Sequence, residues 1–413
     1  MKAKAKSKVK RRIYLDYTSS TPVDPKVSLS MKKIEKLCVG NPNALHEEGR
    51  NAKKIYENAR KSLAENIGAK SDEIIFTSGA TESNNLAILG LYESLKDEYK
   101  KAGKTPHIIS SSIEHKSVLE VLKHLESKGV KVTYIEPEKD GTLPYKIIRK
   151  SLTPDTMLVT IMHANNEIGT INDIEEIVKE VRHARRKLGM TILGTPYFHT
   201  DAAQSVTYVP IDMEKIGIDL LTHHSPKIYG PAGVGLLYKR RGVNINPIIF
   251  GGGQEEGLRS GRELPILAHG FAEAFSIAKK EMNKEMLRLT KLRDYFFNQI
   301  QKIIPSAKIN GTLENRLPNN VNVCIPNIDA EFAVICLDEN GIACSSASTC
   351  MNTSDESYSY VIERIYGDRS CAASSLRFSL GRYTTKSEIG DCLKILKKVL
   401  LLQWNPVRSR DHD

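Results

Sequence analysis

The chain has 413 residues, of which 40% are hydrophobic, and carries 60 Lys+Arg against 49 Asp+Glu. That is enough apolar material for a substantial core, and a length that points to two or three domains. Of the formal charge of +11, seven basic residues and no acid fall in residues 1–12, so the other 401 residues carry only +4, which argues against a basic nucleic-acid-binding fold.

Residues 1–12 read as a disordered basic tail, without the apolar stretch of a secretory signal and too short and Lys-rich for a typical transit peptide. No run of about 18 apolar residues occurs, so a membrane-spanning helix is not expected. The seven cysteines, at 38, 324, 336, 344, 350, 371 and 392, include no C-x-x-C pair and fit neither a disulfide framework nor a zinc ribbon. A reducing compartment and no metal site are the expectation, with cytoplasm and a mitochondrion-like organelle both open.

In chain order, Ala52, Ile55, Tyr56, Ala59, Leu63 and Ile67 recur at three- and four-residue steps and predict one face of a helix. Apolar or β-branched runs at 74–77, 107–110, 130–135, 157–162, 197–200 and 233–238 predict strands, with helices at 117–127 and 174–187 between them. Strands alternating with helices predict a largely parallel sheet covered on both faces. Beyond Gly251-Gly252-Gly253 a long amphipathic helix is expected over 266–303, then a strand at 320–325 and helices at 330–340 and 386–403, a smaller α+β part. The polar stretch 344–359, CSSASTCMNTSDESYS, reads as a loop of functional length.

Candidate chemistry collects where these strands end. EIIFTS, then Gly79-Ala80-Thr81, then a helix from Glu82 onward, place free amides and a hydroxyl at a helix N-terminus, a seat for phosphate or simply a capped helix. Neither nucleotide-loop motif is present. Lys227 follows the apolar IDLLTHHSP and precedes a Gly/Pro turn; a desolvated lysine there forms Schiff bases, whereas most lysines are solvated. Asp201, ending FHTD, can hold a pyridinium nitrogen or cap a turn, and Gln204 follows it. His115 sits at a strand-to-helix junction, as a ligand contact or a buried structural histidine. Cys350 lies in the polar loop and not in an apolar pattern, which suggests reactivity.

Taken together, YLDYTSSTPVDP, GNPNALHEEGR, EIIFTSGATESNNLAILG, IEHKSV, MHANNEIGTIND, HTDAAQS, DLLTHHSPKIYGPAGVG, GGGQEEGLRSG, SSLRFSLGRYTT and the C-terminal LLQW resemble the cysteine desulfurases. These are pyridoxal 5'-phosphate (PLP) enzymes of the class V aminotransferase group, and the long loop resembles the branch serving iron–sulfur assembly and tRNA thiolation. The resemblance implies an α/β, type I PLP-dependent transferase fold (aspartate aminotransferase-like). It also implies a large PLP-binding domain over 24–282 and a small domain from 13–23 and 283–413 that carries the cysteine loop. Lys227 would bind PLP as a Schiff base, Asp201 would pair the pyridine nitrogen, and His115 would stack on the ring. Ala80 and Thr81 would hold the phosphate, Asn166 and Gln204 would contact the ring, and Arg377, with Asn166, would bind the substrate carboxylate. Cys350 would take sulfur from L-cysteine as a persulfide.

Three departures from the family pattern are visible. His224 and Pro226 stand where it has Ser and His before the lysine, leaving either His224 or Ser225 to replace a phosphate ligand. Arg262 ends RSGR where Thr is usual and would reach the phosphate of a neighbouring subunit. Ala347 replaces a glycine near Cys350. The expected partners are a second copy of the chain, an iron–sulfur scaffold protein and a frataxin-like protein, with no membrane and no stable nucleic-acid binding. Alternatives are a thiol-independent PLP lyase or aminotransferase of the same fold, and a catalytically impaired scaffold.

Overall fold

The computed structural model describes residues 12–187, 192–346 and 358–404. A short strand β1 (Ile13–Tyr14) and two helices, α1 (Pro25–Ile34) and α2 (Glu47–Ile67), lead into the alternating region. That region runs β2 (Ile74–Thr77), α3 (Ala80–Lys101), β3 (His107–Ser111), α4 (Lys116–Ser127), β4 (Lys131–Ile135), α5 (Tyr145–Ser151), β5 (Thr156–Thr160) and α6 (Ile174–Lys187). It continues with β6 (Tyr197–Asp201), α7 (Met213–Ile216), β7 (Leu220–His224) and β8 (Gly235–Lys239).

Among the described residues these strands form one sheet in the order β2-β8-β7-β6-β5-β3-β4. The β4, β3, β5, β6 and β7 neighbours are parallel, whereas β8 is antiparallel to both β7 and β2. Helices cover both faces, so the central strands are buried on each side, and Ile108, Val159 and Phe198 reach no solvent to speak of. Two antiparallel steps restore direction, so β2 points the same way as β7. The carboxyl ends of β2, β3, β5, β6 and β7 therefore all open onto one edge, where open parallel sheets bind ligands.

Helix α8 (Pro265–Ile303) follows, and its two halves bury into different cores. Ala268, Phe271 and Phe275 pack under the large sheet, and Leu289, Phe296 and Ile300 under a second cluster with Val321, Phe378 and Leu393. That second cluster is built from β9 (Lys308–Ile309), β10 (Asn320–Cys324), α9 (Ala330–Glu339), β11 (Ile342–Ala343) and β12 (Ser345–Ser346). β13 (Ser375–Ser379) and α12 (Lys386–Trp404) complete it, while α10 (Tyr360–Tyr366) and α11 (Arg369–Ala373) pack with Ile113, Ile168 and Cys324 in a separate small cluster. The strands β12-β13-β10-β9 form an antiparallel sheet, while β1 pairs with β11 in parallel, bringing the N-terminal segment into this second core.

The side chains of Cys324, on β10, and Cys371, on α11, lie next to one another across a Cα separation of 5.4 Å. A sequence separation of 47 residues gives no hint of this neighbourhood. Among the described residues no helix is long and apolar enough to cross a membrane.

Candidate active site

One cavity of about 350 Å³ lies at the sheet edge, a size typical of small-molecule sites. Its lining includes Ala80, Thr81, His115, Asn166, Asp201, Gln204, His224, Lys227 and Arg377. Residues separated by almost three hundred positions thus converge because each sits one turn beyond a strand end, or on the β13 strand facing it.

The floor is set by β2 and α3. Gly79 precedes α3 and offers no side-chain cap, so the first-turn amides lack partners within the helix and point into the cavity. The first turn is fixed from behind: Glu82 accepts from the Ser78 amide at 2.7 Å and pairs with Arg259 at 2.8 Å. A Cβ on Gly235, which opens β8, would come 2.7 Å from the Gly79 Cα, so glycine is needed for the strand to pass beneath this turn.

Asp201 is held in one orientation. Its Oδ1 accepts from the Ala203 amide at 2.9 Å and its Oδ2 from Asn84 Nδ2 at 2.8 Å. Asn84 donates also to Ser117 Oγ at 2.8 Å, and Ser117 in turn meets His115 Nδ1 at 2.8 Å through its hydroxyl and 3.1 Å through its amide. Burial lowers the His115 pKa below the ordinary imidazole value, with Lys227 adding to the effect and Asp201 opposing it. Since Nδ1 accepts from the Ser117 amide, the neutral ring carries its proton on Nε2. His224 is depressed further, by burial first and then by the charge of Lys227.

Lys227, on a short 3-10 turn after β7, donates from Nζ to the carbonyls of Thr18 and Ser19 at 2.7 and 2.6 Å. Gln204 donates to the same Thr18 carbonyl at 3.2 Å. The segment between β1 and α1 therefore forms one wall. Arg377 faces it, donating from its two terminal nitrogens to Asn166 O at 3.3 Å, Asp16 Oδ1 at 3.1 Å, Ser19 Oγ at 2.9 Å and Ser345 Oγ at 3.1 Å. Its Nε and the Asn166 Oδ1 are buried with no hydrogen-bond partner among the described residues. Unsatisfied buried polar atoms at a cavity wall are what an incoming carboxylate or ring substituent would satisfy.

Two carboxyl groups missed in the sequence lie behind this wall. Glu114 is fully buried, accepts from Ser111 Oγ and the Met162 amide, and is pushed up to about 8 by burial. Glu167 is pushed up to about 7 for the same reason, against the pull of Ser359, Arg377 and Lys116. Their signal in the sequence was position alone, each directly beside a candidate site residue. Asn84 and Ser117 were missed as well, being ordinary polar residues in helical first turns.

Ser225 does not enter the cavity. It is buried against Gly230, whose Cβ would fall 2.0 Å from the Ser225 Oγ, and that hydroxyl has no partner among the described residues. The reason is the turn itself: His224 ends β7 facing the site, so the next side chain points to the opposite side. Arg262 is exposed and lies outside this chain's own cavity, with Arg259 instead reaching it through Glu82. Cys350 lies outside the described residues.

The chain matches the family model described as aminotransferase class-V over residues 13–391. It is 42% identical over 392 residues to the cysteine desulfurase IscS of Dictyoglomus turgidum, covering 95% of each chain. A solved NifS-like protein superposes with a TM-score of 0.86 at 34% identity, covering 95% of this chain and all of that one. A structure of SspA in complex with cysteine gives 0.74 at 34% identity, over 90% of this chain and 99% of that one. The chain belongs to the class-V aminotransferase family, with IscS-type cysteine desulfurases among its homologues. Its fold is the type I fold of PLP enzymes, and its cofactor is PLP.

The residues present fit that cofactor. A helix N-terminus with free amides suits a phosphate, a fixed carboxylate suits a pyridinium, and a lysine amine reaches the space between them.

Proposed function

We propose that the chain is a cysteine desulfurase that converts L-cysteine to L-alanine and leaves the sulfur as a persulfide on Cys350. The observation that carries this reading is the convergence of Lys227, Asp201, His115, Arg377 and the α3 N-terminus on one cavity. PLP, when bound, supplies an electron sink for the charge left when the substrate Cα proton departs.

This chain's residues do the rest. The α3 amides, with Ala80 and Thr81, hold the phosphate, and Asp201, fixed by Asn84, keeps the ring nitrogen protonated. His115 would lie against the ring, with Gln204 and Asn166 at its side and His224 beside the phosphate turn. Arg377 binds the substrate carboxylate through its unpartnered Nε. Lys227 Nζ would hold the cofactor as its amine partner and would move the proton at the substrate Cα. Cys350, as thiolate, attacks the substrate sulfur: an S–S bond forms to Cys350, the substrate C–S bond breaks, and the carbon takes a proton to give alanine. The structural neighbour solved with cysteine supports this substrate.

A homodimer belongs to the same reading. Val39, Leu45 and Phe250 are 79%, 91% and 83% exposed on loops joined by the Asn43–Glu263 hydrogen bond of 2.8 Å, an apolar face suited to a second copy. Arg262 on that face would reach the partner's phosphate. An iron–sulfur scaffold and a frataxin-like protein are the proposed acceptor and regulator, in a cytoplasmic or mitochondrion-like setting.

The test is to incubate purified protein with PLP and L-cysteine and measure alanine and sulfide, with and without reductant. Cys350→Ser should bind PLP normally yet form no persulfide and little alanine. Near-normal turnover in that variant would favour the thiol-independent lyase.

A further inference from the structure

The turn suited to phosphate contains an acid. Glu82 stands in the first turn of α3 and lines the cavity beside Ala80 and Thr81, where an unpaired carboxylate would repel a phosphate. Arg259 meets it, donating from Nε and a terminal nitrogen to the two carboxylate oxygens at 2.8 and 3.3 Å. Glu82 Oε2 also accepts from the Ser78 amide at 2.7 Å, so the pair ties down the turn as well as balancing its charge. The two side chains are 21% and 11% exposed, and solvent screens them little.

Arg259 comes from the loop between β8 and α8, and that loop is braced from outside the cavity. Glu255 and Glu256 stand in the left-handed region, at φ 52° and 56°, a strained conformation for residues with side chains. Four hydrogen bonds hold Glu255 there. Its Oε1 accepts from Tyr56 and Arg60 at 2.7 Å each, and its Oε2 from Arg60 at 2.8 Å and the Phe76 amide at 2.7 Å. Because β2 is an edge strand, its outer backbone groups have no strand to pair with, and Glu255 takes that place for the Phe76 amide. Arg60 does the same for the Ile74 carbonyl at 2.6 Å. The loop thus grips β2 at Phe76 and, four residues further on, the turn after β2 at Glu82.

We propose that Arg259, set in place by Glu255, is a positioning residue for the cofactor phosphate: it fixes the α3 turn so that its amides face the phosphate, and it masks the Glu82 charge. The inference rests on the reading of the α3 turn as the phosphate seat. Arg259 is not among the residues lining the cavity and acts through Glu82.

The test compares PLP with pyridoxal, which has the same ring and aldehyde but no phosphate. Each is titrated into the full chain freed of cofactor, and the absorption of the lysine-bound form gives the affinity. Arg259→Met should weaken PLP binding about 10- to 100-fold, while pyridoxal binding stays within about 2-fold of wild type. Removing one member of a mostly buried pair can prevent folding, so Glu82→Gln/Arg259→Met is made beside it. With no charge left to mask, the double variant should hold PLP within about 5-fold of wild type, whereas a loss through a displaced Arg262 would leave both variants equally weak. Glu255→Gln, which keeps the shape but weakens the Arg60 pair, should show a smaller loss, again confined to PLP. Unchanged PLP affinity in Arg259→Met, an equal fall for both ligands, or a double variant as weak as the single one would overturn the proposal. A wild-type protein that binds pyridoxal as tightly as PLP would instead overturn the phosphate seat itself, before any variant is made.

Discussion

Asp201 shows how little of a site is carried by the residue that names it. An isolated carboxylate at a strand end is a common cap; what makes this one a partner for a ring nitrogen is that both oxygens are already held, by the Ala203 amide and by Asn84. Replacing Asn84 with Leu keeps its size but leaves Asp201 Oδ2 and Ser117 without their shared donor. A hydrogen bond to a charged group contributes about 1.5–3 kcal/mol, so PLP affinity should fall roughly 10- to 100-fold. An unchanged dissociation constant would show that Asp201 needs no such support. Lys227→Ala should lose the visible absorption band of the lysine-bound cofactor that borohydride reduction bleaches in wild type, and a variant that kept it would remove Lys227 from its role. At this scale the sequence was readable where chemistry selects rare residue types, as at Lys227, Asp201, His115 and Arg377. It was opaque where an ordinary Asn84, Ser117 or Glu167 acquires meaning only from its neighbours across the sheet.

The elements bring those neighbours together, and the turn between β2 and α3 is the most tightly determined of them. Gly235 passes so close to Gly79 that a methyl group has no room. Gly235→Ala should push the turn outward, costing about 1–3 kcal/mol in stability and misaligning the α3 amides. Thermal unfolding and PLP affinity should therefore fall together; a stable variant with reduced affinity alone would place the strain elsewhere. The long elements were legible because their periodicity is long: 266–303 was expected as a helix and α8 is Pro265–Ile303. The strands of two residues, β1, β9, β11 and β12, were not, since no alternation can be read in so short a run and pairing partners such as Ile342 for Ile13 lie far along the chain. The same distance hid the neighbourhood of Cys324 and Cys371 and the direction of Ser225, which depends on how β7 enters its turn.

At the scale of the whole molecule the large sheet is threaded by buried imidazoles that its acid stability must answer to. His107, His163 and His199 are pushed down to about 4 and His223 to about 3, in each case chiefly by burial. His107 and His199 sit between threonines of adjacent strands, bonded at 2.8–3.1 Å, and fit there as neutral rings. Unfolded, each takes a proton near pH 6.5, whereas folded it does so only near 4 or below, so the stability they contribute is fully present above about 6.5 and is lost as pH falls. Glu114 and Glu167 work in the opposite sense. Their folded values of about 8 and about 7 exceed the ordinary 4.5, so the folded state holds protons the unfolded state has released, and stability falls as pH rises through that range. Between 4.5 and 6.5 the depressed histidines, His115 and His224 among them, outnumber the two carboxyls, so stability should rise with pH. Above 6.5 only the carboxyls still act, and it should decline toward 8. Denaturant unfolding of the cofactor-free protein from pH 4.5 to 8 should show this maximum near 6.5, and Glu114→Gln should flatten its alkaline side. A wild-type curve that kept climbing to pH 8 would mean that Glu114 and Glu167 ionise in the folded protein at ordinary values.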